Sequence, residues 1–190
     1  LRAMENAEFD FTITYRDPTM LDTVDYLADL GCLRSAVVSF KTEPVTRLEH
    51  LNGLRVAYPG GGYFVKRFLP HLKLQGTVVA QTDIMFRMAY RNRLDAFVIN
   101  DAVWFGYKND LHPEYKVPKS LWARFAEPAY VETLPLAVSI SRGSMYQSIG
   151  HRMRSLMQNR AFVEALLKVY KKYQLPEALA CLPSEEASFP

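Results

Sequence analysis

The stretch VTRLEHLNGLRVAYPGGGYFVKRFL, residues 45–69, decides the fold class of the chain. The tetrapeptide Thr46–Glu49 has the residue spacing of a capping box, which predicts the start of a short helix. Leu54–Tyr58 is a β-prone apolar run, and the three glycines at 60–62 that follow it predict a tight turn. The next residues, Tyr63–Leu72, are predicted to form a helix. A strand, a turn and a helix in this order indicate an α/β fold.

Strands and helices continue to alternate on both sides of this stretch. Further strands are predicted over Phe9–Tyr15, Ser35–Phe40, Thr77–Ala80, Ala96–Ile99 and Leu134–Ile140. Further helices are predicted over Asp83–Arg91 and Asp101–Leu111, and in a last helix whose Phe162, Leu166 and Tyr173 are expected in the core. The alternation between residues 54 and 111 predicts a parallel sheet with right-handed crossovers.

The composition limits the classes of protein to which the chain can belong. Of its 190 residues, 49% are hydrophobic and 23% are charged, which is typical of a folded globular protein and not of a disordered one. No apolar run reaches the ~18 residues that a membrane-spanning helix needs. The net charge is +3 with the basic residues spread along the chain, so we expect neither nucleic-acid binding nor membrane insertion. The four histidines lack ligand spacing, and no metal or cofactor is expected.

The cysteines leave two interpretations open. The sequence holds only Cys32 and Cys181, too few for a zinc site made by cysteines alone. Either both thiols are free and buried, or they form one long-range disulfide, which requires an oxidising compartment.

Six blocks of the sequence occur in an order that resembles a known family, the bacterial extracellular solute-binding proteins of the polar amino-acid type. These proteins serve ABC transporters and have the type 2 periplasmic-binding fold. The blocks are NAEFDFTIT at 6–14, VDYLADL at 24–30, the stretch at 45–69, MAYRNRLDAFVIND at 88–101, LPLAVSISRGS at 134–144 and NRAFVEALLKVYKKY at 159–173. The block at 45–69 is the most specific of them.

The resemblance implies a two-lobed α/β fold with parallel-type sheets flanked by helices. Residues 1–41 and 133–175 would form lobe 1, residues 42–132 lobe 2, and residues 176–190 a tail. Two strands, near Ser35–Lys41 and Thr133–Ile140, would cross between the lobes as a hinge. No signal peptide is visible and the family's first strand, helix and strand have no counterpart, so we expect the chain to start inside lobe 1. In this arrangement Cys32 and Cys181 would both lie on lobe 1, and the resemblance therefore favours the disulfide.

The function that the resemblance implies is binding of a small polar solute in the cleft between the lobes. The solute would be an amino acid or a related carboxylate, bound in the periplasm and delivered to a membrane permease. An alternative within the same fold is the ligand-sensing input domain of a membrane signalling protein. No convincing acid/base pair is found in the sequence, and we expect no catalysis.

Candidate ligand contacts in the first half of the chain are Tyr15, Arg16, Gly61, Gly62 and Tyr63. In the resembled family an arginine just after the first of these strands binds the ligand's carboxylate, a contact that the planar guanidinium makes with two hydrogen bonds. Alternatively, Arg16 is a surface arginine paired with Asp17 and does not contact a ligand. The glycine turn could present backbone N–H groups to an anion, or it could be only a turn.

The remaining candidates close the strand Ala96–Ile99. Asn100 and Asp101 would lie at its carboxyl end, where open α/β sheets bind their ligands. The resemblance places Asn100 where the family holds the ligand's ammonium, while Asp101 could be only a helix cap. Together with Arg16, this predicts a solute with one carboxylate and a weak or absent ammonium. Tyr58 and Trp104 are weaker candidates for aromatic walls of the site.

Overall fold

The computed structural model describes residues 10–17, 20–40, 45–60, 65, 67–112 and 115–173. The strands among them are β1 (Phe11–Tyr15), β2 (Val24–Ser39), β3 (Arg55–Pro59), β4 (Gln75–Val79), β5 (Ala96–Asn100) and β6 (Ala129–Ser141). The α-helices are α1 (Thr82–Tyr90), α2 (Asp101–Lys108), α3 (Lys119–Trp122), α4 (Gln147–Met157) and α5 (Arg160–Lys172), and short 3-10 helices span Leu48–Leu51 and Leu69–His71.

The hydrogen-bonded order of the strands is β1-β6-β2-β5-β3-β4. β3 lies parallel to β4 and to β5, whereas β2 is antiparallel to β5 and β1 is antiparallel to β6. The parallel strands are joined through helices, as the alternation between residues 54 and 111 predicts. The α/β fold class is therefore confirmed.

The chain divides into two compact units, of which unit 1 is Leu1–Leu33 with Leu134–Pro190 and unit 2 is Arg34–Thr133. β2 and β6 each contribute residues to both units. The assignment of lobes to residues 1–41 with 133–175 and to residues 42–132, together with the hinge, stays a prediction.

The sheet of unit 2 is buried on both faces. Phe97 and Ile99 of β5 belong to one core cluster, whereas Ala96 and Val98 belong to the other. Successive residues of a strand point to opposite faces, so this continuous apolar run fills both layers. α1 and α2 cover the first face, where Phe86 is fully buried and packs edge-on against Phe97 at 5.3 Å between ring centroids.

Unit 1 has a smaller core beside β2 and β6. Leu27, Val138 and Ile140 are buried, and α4 packs over them where a glycine allows close approach. A Cβ added at Gly150 would lie 3.0 Å from Ile140 Cδ1. α5 has no buried residue, and it is attached by the hydroxyl of Tyr170, which donates to the backbone carbonyl of Leu30.

Two local predictions are wrong. Thr46 does not cap the helix at Leu48–Leu51, because Arg47 occupies the N-cap position without a side-chain hydrogen bond and Glu49 approaches Arg47 Nε at 3.4 Å instead. None of the three residues expected in the core of the last helix is buried. Phe162 and Leu166 are half-buried, and Tyr173, which follows the last residue of α5, is 46% exposed.

Cys32 is 2% exposed and takes part in a disulfide. Cys181, the other cysteine of the sequence, lies outside the described residues, and the Cys32–Cys181 pairing stays a prediction. We expect the denatured, unreduced protein to show no free thiol, and non-reducing peptide mapping to join the peptides of both cysteines. Reduction should lower the free energy of unfolding by about 2–5 kcal/mol. Alkylation of either thiol without reductant would contradict the pairing.

A glycine in the edge strand β4 tests the packing of unit 2. A Cβ at Gly76 would lie 2.6 Å from the hydroxyl oxygen of Tyr58, a residue only 5% exposed and unable to move aside freely. Gly76→Ala should therefore lower the free energy of unfolding by about 1–3 kcal/mol, measured with urea. The matched control is Gly106→Ala in α2, whose Cβ would meet His112 at an ordinary 3.4 Å. Helix propensity predicts a gain of up to ~1 kcal/mol in the free energy of unfolding for this variant. Equal effects of the two substitutions would refute the close contact between Gly76 and Tyr58.

Candidate ligand-binding residues

Arg16 lies directly after β1, and its backbone N–H donates to the carbonyl of Pro135 at 2.9 Å. Its side chain forms an ion pair through Nε with Asp29 of β2, and its guanidinium lies 5.1 Å from the ring centroid of Tyr26. Neither Nη group donates a hydrogen bond to a residue that the structure describes. The side chain is 40% exposed, so a paired but accessible guanidinium stands at this position. The partner is Asp29 and not the sequence neighbour Asp17.

Tyr26 holds the backbone that carries Arg16. Its hydroxyl accepts a hydrogen bond from the N–H of Asp17 at 2.8 Å and lies 3.2 Å from the carbonyl oxygens of Tyr15 and Asp17. Burial raises the pKa of the Tyr26 hydroxyl, which therefore stays protonated and can donate to one of these carbonyls. Tyr15 is half-buried at the end of β1, opposite Leu136 of β6. The Tyr26 hydroxyl thus holds the peptide groups on both sides of Arg16.

In unit 2, Asn100 and Asp101 form the start of α2. The Asn100 side chain caps the helix by accepting from the N–H of Val103 at 2.8 Å. Asp101 Oδ1 accepts from the backbone N–H groups of Arg34 at 3.1 Å and of Ala102 at 2.9 Å. Its Oδ2 pairs with Arg34 Nε at 3.1 Å. The structure gives both residues structural partners within unit 2, and whether either contacts a ligand stays a prediction.

Arg34 is a charged residue of the site that the sequence analysis missed. Its guanidinium lies 3.5 Å from the ring centroid of Tyr130 and its side chain is 21% exposed, so the cation is covered by an aromatic face. Asp29, the partner of Arg16, was missed as well. Both lie in the first part of β2, which begins at Val24, whereas the sequence predicted a strand only from Ser35.

The remaining candidates are Gly61, Gly62, Tyr63, Tyr58 and Trp104. Gly61, Gly62 and Tyr63 lie outside the described residues, so the anion-binding turn stays a prediction. Tyr58 and Trp104 are 5% and 8% exposed and belong to the two core clusters of unit 2. The core interpretation therefore accounts for Tyr58. Within the described part of the chain, no group of three or more metal-ligating side chains occurs.

Glu132 is a second acidic residue that the sequence analysis missed. Its side chain is only 8% exposed, and Oε1 accepts from Arg67 Nη1 at 2.7 Å. Oε2 is buried without a hydrogen-bond partner among the described residues. Burial raises the pKa of the Glu132 carboxyl, and the nearby Arg67 opposes that change only in part. A buried, half-satisfied carboxylate lowers the stability of the ionised protein.

Comparison with known proteins identifies the fold. No protein-family model matches the chain, and no curated protein matches it. The substrate-binding protein of an amino acid ABC transporter is similar in structure, with a TM-score of 0.68 at 14% identity, over 90% of this chain and 75% of that one. The solute receptor for L-cysteine of Neisseria gonorrhoeae gives a TM-score of 0.67 at 15% identity, over 98% and 72%.

A sensor domain with the same fold is also similar. This domain, from a histidine kinase and itself similar to periplasmic binding proteins, gives a TM-score of 0.65 at 13% identity, over 89% of this chain and 72% of that one. The chain thus has the fold of the type 2 periplasmic-binding proteins. Among the described residues, none of the helices is both long and apolar enough to cross a bilayer.

The raised pKa of Glu132 makes a prediction about stability and pH. The folded protein binds this proton more tightly than the unfolded chain, whose glutamate has the ordinary pKa of 4.5. The parent should therefore lose stability as the pH rises from about 4.5 through the folded pKa. Glu132→Gln, which cannot ionise, should gain stability relative to the parent over the same range. Urea unfolding from about pH 4 to about pH 8 measures the difference.

The matched control for this series is Glu164→Gln on α5, where the carboxylate is 51% exposed and paired with Arg160. The difference in the free energy of unfolding between Glu164→Gln and the parent should change little with pH, because an exposed pair contributes little to stability. If the Glu132→Gln difference is also independent of pH, the carboxyl is solvated and its assigned burial is wrong.

Proposed function

We propose that the chain binds a small polar solute, an amino acid or a related carboxylate, in the periplasm and delivers it to a membrane permease. The observation that carries the proposal is the ordered, accessible guanidinium of Arg16 on a fold shared with amino-acid receptors. The proposal assigns no catalytic step to the chain. Its partners are the solute and a transporter permease.

The chemistry of Arg16 supports recognition of a carboxylate. Asp29 engages only Nε, so the two Nη groups of Arg16 can donate to a ligand. Two parallel N–H groups match the two oxygens of a carboxylate, and an ion pair that already orients the guanidinium reduces the entropy lost on binding. The pair with Asp29 also lowers the net positive charge, which favours directional hydrogen bonds over a nonspecific attraction.

The chemistry at the start of α2 supports the second half of the ligand proposal. The carboxylate of Asp101 already accepts three hydrogen bonds, two of them from Arg34. The Asn100 oxygen is engaged by the N–H of Val103. An ammonium would find here a neutralised carboxylate and an occupied amide oxygen. We therefore propose a solute with a carboxylate and a weak or absent ammonium.

The second candidate is a sensory role, which the similarity to the histidine kinase sensor domain favours. The solute would be the same, but its binding would be reported to a signalling partner. Capture of an ABC permease by the ligand-loaded chain supports delivery. Ligand-dependent activity of a kinase carrying the chain as its input domain supports sensing.

A thermal-shift screen with amino acids, polyamines and small organic acids should identify the ligand, because binding to the folded state raises the melting temperature. Arg16→Ala should then weaken binding of that ligand by about 1.5–3 kcal/mol in calorimetry. Asp101→Asn should have a smaller effect.

The matched control is Arg142→Ala, which removes another arginine of unit 1 that pairs through Nε with an aspartate of β2, Asp25, at 3.0 Å. It should leave affinity unchanged. Parent-like binding by Arg16→Ala, or an equal loss in both variants, would refute the assignment of Arg16 to the ligand's carboxylate.

A further inference from the structure

A cavity of about 160 Å³ lies within unit 2, at the end of α2 away from Asn100. It is lined by Trp104, Lys108, Trp122, Phe125 and the segment 126–128. α2 runs from Asp101 to Lys108, so the two ends of the helix are separated by roughly 10 Å at 1.5 Å per residue. This cavity is therefore distinct from the start of α2, where the candidate ligand contacts lie.

The walls of the cavity are aromatic side chains that pack against one another. Trp104 and Trp122 meet edge to face at 5.0 Å, and Phe125 packs edge to face against them at 5.4 and 5.3 Å. Trp104 is 8% exposed and also contacts Phe97 in the core of unit 2. Because each ring is held by the others, the shape of the cavity is set before any ligand enters. A cavity of roughly 150 Å³ is large enough for one benzene ring.

Two opposite charges lie in the lining of this aromatic cavity. Lys108 is exposed at the end of α2, and Glu127 is exposed in the segment before β6. Within the described part of the chain, neither forms an ion pair with another residue. An ammonium and a carboxylate beside an apolar cavity complement a zwitterion that carries an aromatic ring.

We propose that this cavity is a second binding site, for a small molecule with an aromatic ring and an amino-acid head group. The ring would lie against Trp104, Trp122 and Phe125, where edge-to-face contacts are favourable. The carboxylate of the ligand would pair with Lys108 and its ammonium with Glu127. This site does not depend on Arg16 or on the solute proposed above.

The tryptophans make the test specific, because the sequence contains two and both line the cavity. Tryptophan emission therefore reports directly on its occupancy. Titration of the full chain with L-phenylalanine, which does not absorb where tryptophan is excited, should give a saturable change in emission. Arg16→Ala should give the same titration curve as the parent, which separates this site from the one assigned to Arg16.

A crossed set of variants and probes tests each charge. Lys108→Gln should weaken L-phenylalanine and 3-phenylpropanoate about two- to five-fold, the range of an exposed ion pair, and leave 2-phenylethylamine unchanged. Glu127→Gln should weaken L-phenylalanine and 2-phenylethylamine and leave 3-phenylpropanoate unchanged. Lys168→Gln, an exposed lysine on α5, should change none of the three. Both cavity charges are exposed, so these variants should keep the parent's circular dichroism.

Three results would overturn the proposal. The first is the absence of a saturable emission change up to millimolar L-phenylalanine. The second is a change that all variants share equally, which would mean nonspecific quenching. The third is a change that only Arg16→Ala removes, which would place the amino acid at the other site.

Discussion

In unit 2, β2 lies antiparallel to β5 with Ser35 opposite Asn100 and Ser39 opposite Ala96. This register divides the apolar residues of β2 between the two core clusters, with Ala36 and Val38 on one face and Val37 on the other. A shift by one residue would exchange the faces, so that Val37 and Ser39 would point into the cluster that now holds Ala36 and Val38. The register therefore determines which residues of β2 enter each core cluster of unit 2.

The charged groups at the start of α2 depend on this same register. Ser35 pairs with Asn100 in antiparallel strands, and Arg34 therefore comes beside Asp101. The aspartate accepts from the backbone and from the side chain of Arg34, and it also lies in the first turn of α2, where the helix dipole favours a negative charge. The pairing of β2 with β5 therefore also places the ion pair between Arg34 and Asp101 at the start of α2. This also explains why the carboxylate is largely satisfied before any ligand binds.

The sequence predicts those parts of the structure that depend on local pattern. Ala96–Ile99 was found because a strand buried on both faces must be continuously apolar, and α1 was found to within one residue at each end. The helix at Leu48–Leu51 was placed correctly but its cap was not, because one turn of helix leaves little for a capping box to stabilise. The partners of Arg16 and Arg34 could not be read from the sequence. Asp101 is 67 residues from Arg34, and only the register of β2 brings them together.

The carboxylates of β2 show how unit 1 orders its arginines without burying them. Asp25 and Asp29 are four residues apart on one strand and so lie on the same face, and each engages the Nε of one arginine, Arg142 or Arg16. The backbone is held in both pairs, at Arg142 by its N–H, which donates to the carbonyl of Thr23 at 2.9 Å. The segment around Arg16 is tied by the Tyr26 hydroxyl, whose oxygen lies within hydrogen-bonding distance of the residues on both sides of it. Arg16 therefore combines a fixed backbone with an oriented but accessible guanidinium. A rigid donor at the surface loses less entropy on binding than a free side chain, and this fits Arg16 as the contact proposed for an anionic group.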